Sequence, residues 1–438
     1  MYKNKNLSFA DCLQKGLGRT FDYINQNEKE EIRQKLLNAC LHHIAYNPQS
    51  EGSRAEWLFQ LITLTNDTEF YRQNIIKALP NTTDFWDVDQ LYDLITIWAK
   101  QGDIEAKQII YETFAKQKFN ESWLGGEQII DLDGIAGLLY VAQIVGKRLL
   151  KDDELWEDDW LISQASERFG KEKVIEALEK EALSDRNISA YLDAVKTYQT
   201  NTANNKKRRS KANRKILDLD TVLESIDTIR HYRALLNNFG KYAEDKEIER
   251  VFQQLIKETR REHLIRYLWI FRWRKLPKLD KRLLELTRTD DVELQGVAIA
   301  AVAKNKDDSL RDLAISLLQL TNSYNGELKL LINNYQPGDF KLIESILNNS
   351  FDIHTKHNVC WDLIDIAKTQ KKSELTTCSL WVYENTPCSS CREKILKILI
   401  DLKQVPKQIL IECLNDCSPN IRDLARKELQ TLNRYNVR

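Results

Sequence analysis

The sequence predicts an all-α protein, a right-handed α-solenoid built from antiparallel helix pairs. Three observations support this fold class. The 438 residues include 14 glycines and 7 prolines, fewer than the turns of a sheet protein need. Apolar residues recur at the i, i+3, i+4, i+7 spacing of a helix with one buried stripe. In the second half the helical pattern repeats with a period near 32 residues, which is typical of stacked helical hairpins.

The first predicted region, 1–200, is helical, acidic and rich in tryptophan. It contains no alternating pattern long enough to indicate a strand. Two turns stand out, a tight one at Gly102–Asp103 and a second at Gly125–Gly126, where glycine permits a positive φ. The predicted helices of this region are 27–46, 54–65, 69–79, 87–101, 103–117, 134–150, 156–170 and 171–183.

A basic segment, 201–218, separates the two predicted regions. Seven of the ten residues 206–215 are cations, and apolar side chains are nearly absent from the segment. This composition predicts an exposed linker or loop.

The second predicted region, 219–438, is an array of helix pairs. Equivalent positions in the second helix of successive pairs are separated by 34, 29, 34 and 30 residues. Because one pair cannot bury both of its faces, neighbouring pairs are expected to stack. The predicted helices are 278–288, 291–304, 309–320, 326–335, 339–349, 354–367, 373–385, 389–402, 407–416 and 419–432.

The array resembles HEAT repeats, most closely in the stretches LTRTDDVELQGVAIAAVAK and LNDCSPNIRDLARKEL. An Asp-containing turn is followed by a Val/Ile-Arg pair and by small residues along the second helix. Gln295 replaces the usual arginine in the first stretch, while the matching residues are Ala298, Ala301, Arg422, Ala425 and Leu429. The resemblance covers about 278–434, and the hairpin 87–117 is similar to one further HEAT-like unit. The family implies a fold and a scaffold or adaptor role, without specifying an activity.

Charge and cysteine content suggest where the protein acts and what it meets. The formal net charge is zero, but residues 1–200 hold 23 lysines and arginines against 33 aspartates and glutamates. The basic remainder is a reason to consider an anionic partner. The N-terminus has no apolar core of signal-peptide length, and no uninterrupted apolar run reaches the ~18 residues of a membrane span. With eight cysteines expected to be reduced, we predict a cytoplasmic protein with no membrane contact and no cofactor.

Three acidic-aromatic segments, 84–93, 120–134 and 152–160, are the first candidate site. Their carboxylates and tryptophans can form a groove that anchors a basic peptide of a partner protein. Helix capping by Asp87 and Asp103 is the simpler interpretation, and paired carboxylates also serve glycosidases and cation sites. The candidate protein-binding residues are Trp86, Asp87, Asp89, Trp123, Glu127, Trp156, Asp158, Asp159 and Trp160.

Two basic stretches are candidates for contact with a polyanion. In the first, 206–215, the bland alternative is a solvated linker. The second, YLWIFRWRK, is predicted to end a helix that begins near 260, because Pro277 disfavours continuation beyond 275. Its terminal cations can therefore simply meet the helix dipole. The candidate residues are Lys206, Lys207, Arg208, Arg209, Lys211, Arg214, Lys215, Arg272, Trp273, Arg274 and Lys275.

Cysteines and histidines are not predicted to form a metal or catalytic site. Cys388 and Cys391 form a CxxC, but structural zinc needs four ligands. Histidine ligands from a neighbouring unit, His354 and His357, are not excluded. Cys391 holds the position of the apolar Ile421 in the next repeat, which favours core packing.

Three classes of function follow from these patterns. We favour a non-enzymatic scaffold or adaptor that binds a protein partner on the concave face of the solenoid. The alternative is nucleic-acid binding, of the kind seen in DNA glycosylases of the HEAT-like class. An enzyme such as the HEAT-like bilin lyases ranks last, because no catalytic constellation is recognisable in the sequence.

Overall fold

The structure is a computed structural model that describes residues 7–26, 30–116, 121–152, 154–212, 218–228, 233–320 and 324–435, with the backbone alone in 203–212. The protein is 75% helical, and the described ranges contain no strand. The predicted all-α class is therefore confirmed.

The chain forms two compact units. The N-terminal unit comprises Asn6–Lys211 with Asn415–Cys417, and the C-terminal unit contains Ala212–Leu414 with Ser418–Arg438. The boundary between Lys211 and Ala212 falls inside the segment 201–218.

The N-terminal unit contains twelve described helices. Their starts follow ordinary capping chemistry: Ser8 forms a capping box with Asp11, and Asn47 and Asp84 accept hydrogen bonds from backbone N–H groups of the helices that they precede. The helices are α1 Phe9–Lys15, α2 Thr20–Gln26, α3 Glu30–Leu41, α4 Pro48–Glu51, α5 Ala55–Thr63, α6 Thr68–Ala78, α7 Phe85–Lys100, α8 Ile104–Lys116, α9 Trp123–Leu149, α10 Trp160–Phe169, α11 Lys171–Ala182 and α12 Arg186–Ala212.

Helix α7 lies at the centre of this unit. It packs against α3, α5, α6, α8 and α9. Leu91, Tyr92, Leu94 and Ile95 on this helix are fully buried, so more than one face of α7 is enclosed. A helix that is apolar on several faces is a core helix.

Helix α9 begins with a break in its backbone. Gly125 has φ 85°, as the Gly125–Gly126 pair predicts, and Leu124 also departs from helical geometry. A Cβ atom on Gly125 would lie 2.7 Å from the ring of the buried Tyr92, which no side chain tolerates. Glycine here thus satisfies both the positive φ and the close approach of α7 to α9.

Helix α9 is also the one described helix that is long and apolar enough to cross a membrane by length and hydropathy. Its most apolar window is 44% buried inside the protein, and the helical backbone is interrupted again at Gly134. Length and composition of this kind are shared by core helices, so this is weak evidence for a membrane span.

Helix α12 corrects part of the predicted linker. The backbone is helical through residues 201–212, where the sequence analysis predicts a loop. The segment Arg186–Ala212 contains neither proline nor glycine and is rich in lysine, arginine and alanine, which favour helix even without apolar residues.

The C-terminal unit contains thirteen described α-helices. They are α13 Leu219–Thr228, α14 Arg233–Tyr242, α15 Asp245–Leu255, α16 Arg261–Ile270, α17 Lys281–Leu286, α18 Val292–Val302, α19 Asp308–Leu320, α20 Phe340–Ile346, α21 Ile353–Gln370, α22 Thr376–Asn385, α23 Ser389–Asp401, α24 Lys407–Cys413 and α25 Pro419–Tyr435. Each predicted helix of the array has a counterpart among them except 326–335.

Segment 326–335 contains a short 3-10 helix, Glu327–Leu331, where a full helix is predicted. The helical pattern in the sequence is real, since Leu328, Leu330 and Leu331 are buried. The α-helix does not form because Asn334 turns its side chain onto the Leu330 carbonyl at 2.8 Å and Pro337 follows closely.

Every second element of this unit contacts the next one of its kind. Helix α14 packs on α16, α16 on α18, α18 on Glu327–Leu331, that segment on α21, α21 on α23, and α23 on α25. The fully buried Ala298 and Ala301 on α18 keep side chains short where these elements meet.

The helix around YLWIFRWRK ends earlier than predicted. Helix α16 stops at Ile270, a 3-10 turn covers Phe271–Trp273, and Arg274 is extended. Arg274 donates to the carbonyl of Ala243, just beyond α14, and to Asp245. This cation therefore meets the C-terminal end of a neighbouring helix instead of its own, because the chain has already left the helix.

Two glycines of the C-terminal unit allow a matched test of this close packing. A Cβ on Gly240 in α14 would lie 1.8 Å from the Ile270 carbonyl oxygen, whereas one on Gly296 in α18 would meet nothing nearer than 3.6 Å. Gly240→Ala is expected to lower the free energy of unfolding by about 1–3 kcal/mol. Gly296→Ala is expected to raise it by up to about 1 kcal/mol through helix propensity. Urea unfolding followed by circular dichroism measures both, and equal effects would contradict this packing.

Candidate functional site

The three acidic-aromatic segments come together on the N-terminal unit. Helix α7 starts at Phe85, whose ring lies against Trp123 at the start of α9, with 5.3 Å between ring centroids. Phe85 also contacts Trp86 at 5.0 Å. From α10, Trp160 donates its indole N–H to Glu127 on α9. These contacts join the segments 84–93, 120–134 and 152–160, and we call the result the acidic-aromatic surface.

A group of carboxylates on α7 and α9 gives this surface its charge. Burial, followed by the charges of Asp93 and Glu127, raises the pKa of Asp89 to about 7. Gln128 donates to Asp93 at 2.6 Å. Of the lysines and arginines that the structure describes, none forms an ion pair with Asp89. The repulsion among the three carboxylates is therefore not offset at this point of the surface.

A cavity of about 220 Å³ opens beside these carboxylates. Trp123, Trp156, Glu157 and Asp158 contribute to its wall. Glu157 is buried and accepts a hydrogen bond from the Ser122 hydroxyl at 2.5 Å. Burial raises the pKa of Glu157 to about 7, partly offset by that hydrogen bond. A cavity with a tryptophan wall and a partly neutral carboxyl suits a ligand with both apolar and cationic parts.

Two tryptophans of the surface remain open to solvent. Trp156 is 68% exposed and Trp160 is 47% exposed. Trp156 stacks on Tyr198 of α12 with the ring planes 15° apart, so its orientation is supported. Gln199 of α12 donates to Asp159 at 3.0 Å. An oriented but exposed indole is typical of residues that anchor a partner.

Capping, the simpler interpretation of the acidic residues, holds for several of them. Asp87 lies in the first turn of α7 and accepts hydrogen bonds from the His43 backbone N–H and the His42 ring. Asp103 accepts from the Ala106 N–H at 3.0 Å, as predicted for a helix start. Asp158 accepts from the Trp160 N–H at 2.9 Å. Asp87 and Asp158 are thus partly satisfied by the fold itself, whereas Asp89 is not.

A second site, in the C-terminal unit, is a cavity of about 390 Å³ with cations and tryptophans in its wall. We call it the cationic cavity. It contains Arg272 and Trp273 of the predicted basic stretch, together with residues that the sequence analysis did not select. The added charged and aromatic residues are Lys304, Lys329, His357, Trp361, Asp362 and Asp365.

Cations lie over both tryptophan rings of this cavity. Lys304 and Arg272 approach the ring of Trp273 at 5.6 and 5.4 Å, and Lys394 lies 3.9 Å from the centroid of Trp361. Trp273 is 57% exposed and Trp361 is 43% exposed. The cavity therefore presents indole rings and positive charge side by side.

The carboxylates of the cationic cavity are partly neutralised. Asp362 is buried, and its side chain receives hydrogen bonds from Lys329 at 2.8 Å and from the Tyr324 hydroxyl at 2.5 Å. Burial raises the pKa of Asp362 despite the nearby lysine. Burial and the neighbouring Arg233 lower the pKa of Arg272. Excess positive charge is therefore concentrated around Arg272 and Lys304.

The remaining basic candidates do not line the cavity. Arg274 is engaged with Ala243 and Asp245, and Lys275 is exposed elsewhere. Five of the others have a helical backbone in α12 and no described side chain: Lys206, Lys207, Arg208, Arg209 and Lys211. Arg214 and Lys215 lie outside the described residues.

A repeat register explains why these cavity residues meet. Trp273, Lys304, Asn333 and Trp361 all line the cavity and follow one another at intervals of 31, 29 and 28 residues. They therefore occupy similar places in successive units. Comparing side chains at this position of the repeat, rather than searching for a local basic cluster, was the signal that would have selected them.

A thiol–imidazole group lies next to this cavity. His357 lines the cavity, and its Nε2 atom is 3.4 Å from the Sγ atom of Cys391. Cys388, at the N-cap of α23, completes the group. Hydrogen bonding with Cys391 lowers the pKa of the Cys388 thiol and raises that of Cys391.

Comparison with known proteins identifies no family. No profile of a known protein family matches the sequence, and a search of curated proteins gives no significant match.

The raised pKa values of Asp89 and Glu157 predict a pH dependence of stability. Both folded-state values, about 7, exceed the model values of 3.8 and 4.5, so the folded protein binds more protons than the unfolded chain between about pH 4 and 7. Stability is therefore highest at the acidic end of this window and declines as pH rises through 7. Asp89→Asn should flatten this decline between pH 5.5 and 8 by on the order of 1 kcal/mol.

The measurement is the difference in unfolding free energy between variant and wild type at each pH. This difference removes the opposing contribution of His43, whose pKa is lowered by burial. Glu157→Gln should behave like Asp89→Asn, while the exposed Glu172→Gln serves as control. A wild-type profile with no decline toward pH 8 would argue against buried carboxyls of raised pKa.

Proposed function

We propose that this chain is a non-enzymatic binding protein, a scaffold or adaptor that holds a basic segment of a partner protein on its acidic-aromatic surface. One observation supports this most: three acidic segments distant in sequence converge around the exposed Trp156 and Trp160. Aromatic anchors surrounded by complementary charge are the usual centre of a protein-binding site.

Electrostatics favours a cationic ligand at this surface. Because Asp89 lies near Asp93 and Glu127, the approach of a lysine or arginine would relieve like-charge repulsion. The cavity at Trp123 and Glu157 offers space for an apolar group beside that charge. The expected partner segment therefore combines basic residues with at least one apolar side chain.

A HEAT-like solenoid in the C-terminal unit is part of the same proposal. The stepwise contacts from α14 through α25 are those expected when helical hairpins stack in one direction. The register of Trp273, Lys304, Asn333 and Trp361 also suits a solenoid, in which equivalent positions align along one face. Such a face offers further contact area to a partner.

Binding of a short fluorescein-labelled lysine-rich peptide with one leucine tests the proposed surface. Fluorescence anisotropy should detect binding that weakens with salt, because exposed charges are screened. Trp156→Ala and Asp89→Asn should each raise Kd by about tenfold or more, the loss expected for an anchor residue, or about 1.4 kcal/mol. Trp156 is exposed, so its replacement leaves the core intact.

The matched control is Glu172→Gln, which removes one exposed carboxylate of the same unit away from the surface. Unchanged affinity in Trp156→Ala, or equal weakening by Glu172→Gln, would mean that the peptide senses only net charge. Either result would remove the acidic-aromatic surface as the binding site.

The cationic cavity supports a second candidate function, binding of a polyanion such as single-stranded nucleic acid. Base stacking on exposed indoles combined with nearby cations is how such strands are held. Trp273 and Trp361 offer exposed rings, and Arg272 lies beside Arg233, so that an anion here would relieve positive repulsion.

A labelled single-stranded oligonucleotide tests the second candidate at low salt. Lys304→Ala is expected to weaken binding and to reduce the salt-dependence slope by about one, as for the loss of one phosphate contact. Trp361→Ala should weaken binding with little change in that slope. Lys281→Ala, whose side chain is 92% exposed on α17, is the control. No binding at low salt, or an equal effect of Lys281→Ala, would eliminate this candidate.

A further inference from the structure

Three potential metal ligands converge between α21 and the start of α23. They are the imidazole of His357 and the thiols of Cys388 and Cys391, and their ligand atoms lie within 4.8 Å of one another. Cys388 is 6% exposed, Cys391 is fully buried, and His357 is half-buried at the edge of the cationic cavity. Two soft sulfur ligands with one imidazole are a set that zinc prefers.

The distances fit a tetrahedral ion closely. Zinc binds cysteine sulfur at about 2.3 Å and histidine nitrogen at about 2.0–2.1 Å, so two such ligands at the tetrahedral angle are about 3.6 Å apart. The Nε2 atom of His357 and the Sγ atom of Cys391 are 3.4 Å apart. The remaining pairs, at no more than 4.8 Å, need only a small side-chain adjustment to close around an ion.

The backbone is also arranged to support a thiolate. Cys388 occupies the N-cap of α23, and its sulfur accepts hydrogen bonds from the backbone N–H groups of Ser390 and Cys391. The positive end of the helix dipole adds to this stabilisation of negative charge. Such outer contacts orient a metal ligand and fix its charge.

We propose that His357, Cys388 and Cys391 bind a zinc ion in the C-terminal unit. Within the described residues, no fourth histidine, cysteine or carboxylate joins the group at the same distance. Three protein ligands leave the fourth tetrahedral position to water or to an incoming ligand, which is the pattern of an open zinc site. The CxxC spacing alone predicts core packing, and the imidazole contributed by the preceding repeat changes that interpretation.

A CxxC at a helix N-terminus also suits a redox-active pair, so the alternative is a Cys388–Cys391 disulfide. Zinc is favoured for two reasons. A disulfide would give His357 no role, although its Nε2 atom lies at ligand distance from Cys391. Thiol–disulfide exchange also requires an accessible sulfur, and both cysteines are buried.

The test is metal uptake by the full-length reduced protein. After incubation with Zn²⁺ and removal of free metal, elemental analysis should give about one zinc per chain. Co²⁺ in place of Zn²⁺ should produce a thiolate-to-cobalt charge-transfer band. Cys388→Ser, Cys391→Ser and His357→Gln should each lower metal retention at least tenfold. The control, Cys378→Ser, replaces another buried cysteine of the same unit that lies outside the group and should leave retention unchanged.

A measurement on the wild type covers the case in which a variant fails to fold. Zinc should protect Cys388 and Cys391 from alkylation, as mapped by mass spectrometry, and leave the labelling of Cys378 as it is. Absence of the cobalt band, or full zinc retention in Cys391→Ser, would overturn the proposal. So would a wild-type protein that takes up no metal and forms the Cys388–Cys391 disulfide under mild oxidation, which would assign the pair to redox chemistry.

Discussion

The contact between the Tyr92 ring and the Gly125 backbone determines the layout of the N-terminal unit. Tyr92 is fully buried on the central helix α7, and its ring approaches Gly125 so closely that a side chain there has no space. The resulting break redirects the chain at the start of α9. That redirection sets Trp123 against Phe85 and turns Glu127 toward Trp160. Charged groups from three distant segments thus share one surface because of a buried aromatic ring.

The C-terminal unit gathers its charges by a different route. There, no single contact brings Trp273, Lys304 and Trp361 together; a constant interval along the chain does so. Each added unit contributes one side chain to the same wall, so neighbouring residues in space are about 30 positions apart in sequence. A substitution in one unit would therefore change one point of the cavity and leave the others in place.

Helical class and most helix positions could be predicted, because apolar periodicity reports directly which face of a segment is buried. The failures have local causes. At 326–335 the leucines are buried as the pattern requires, but asparagine side chains compete for backbone carbonyls. At 201–212 low hydrophobicity suggested a loop, although helix propensity was sufficient. The pairing of His357 with Cys391 could not be read from spacing, since it depends on how two successive units stack.

The carboxyl groups of Asp89 and Glu157 have one more consequence, for energetics outside the folding equilibrium. With pKa values near 7, both hold protons for part of the time at neutral pH. A docked lysine or arginine would favour their ionised forms and expel those protons. Ligand affinity would then increase with pH across the same interval in which conformational stability decreases. The heat of association would also vary with the ionisation enthalpy of the buffer, a signature that a neutral binding groove lacks.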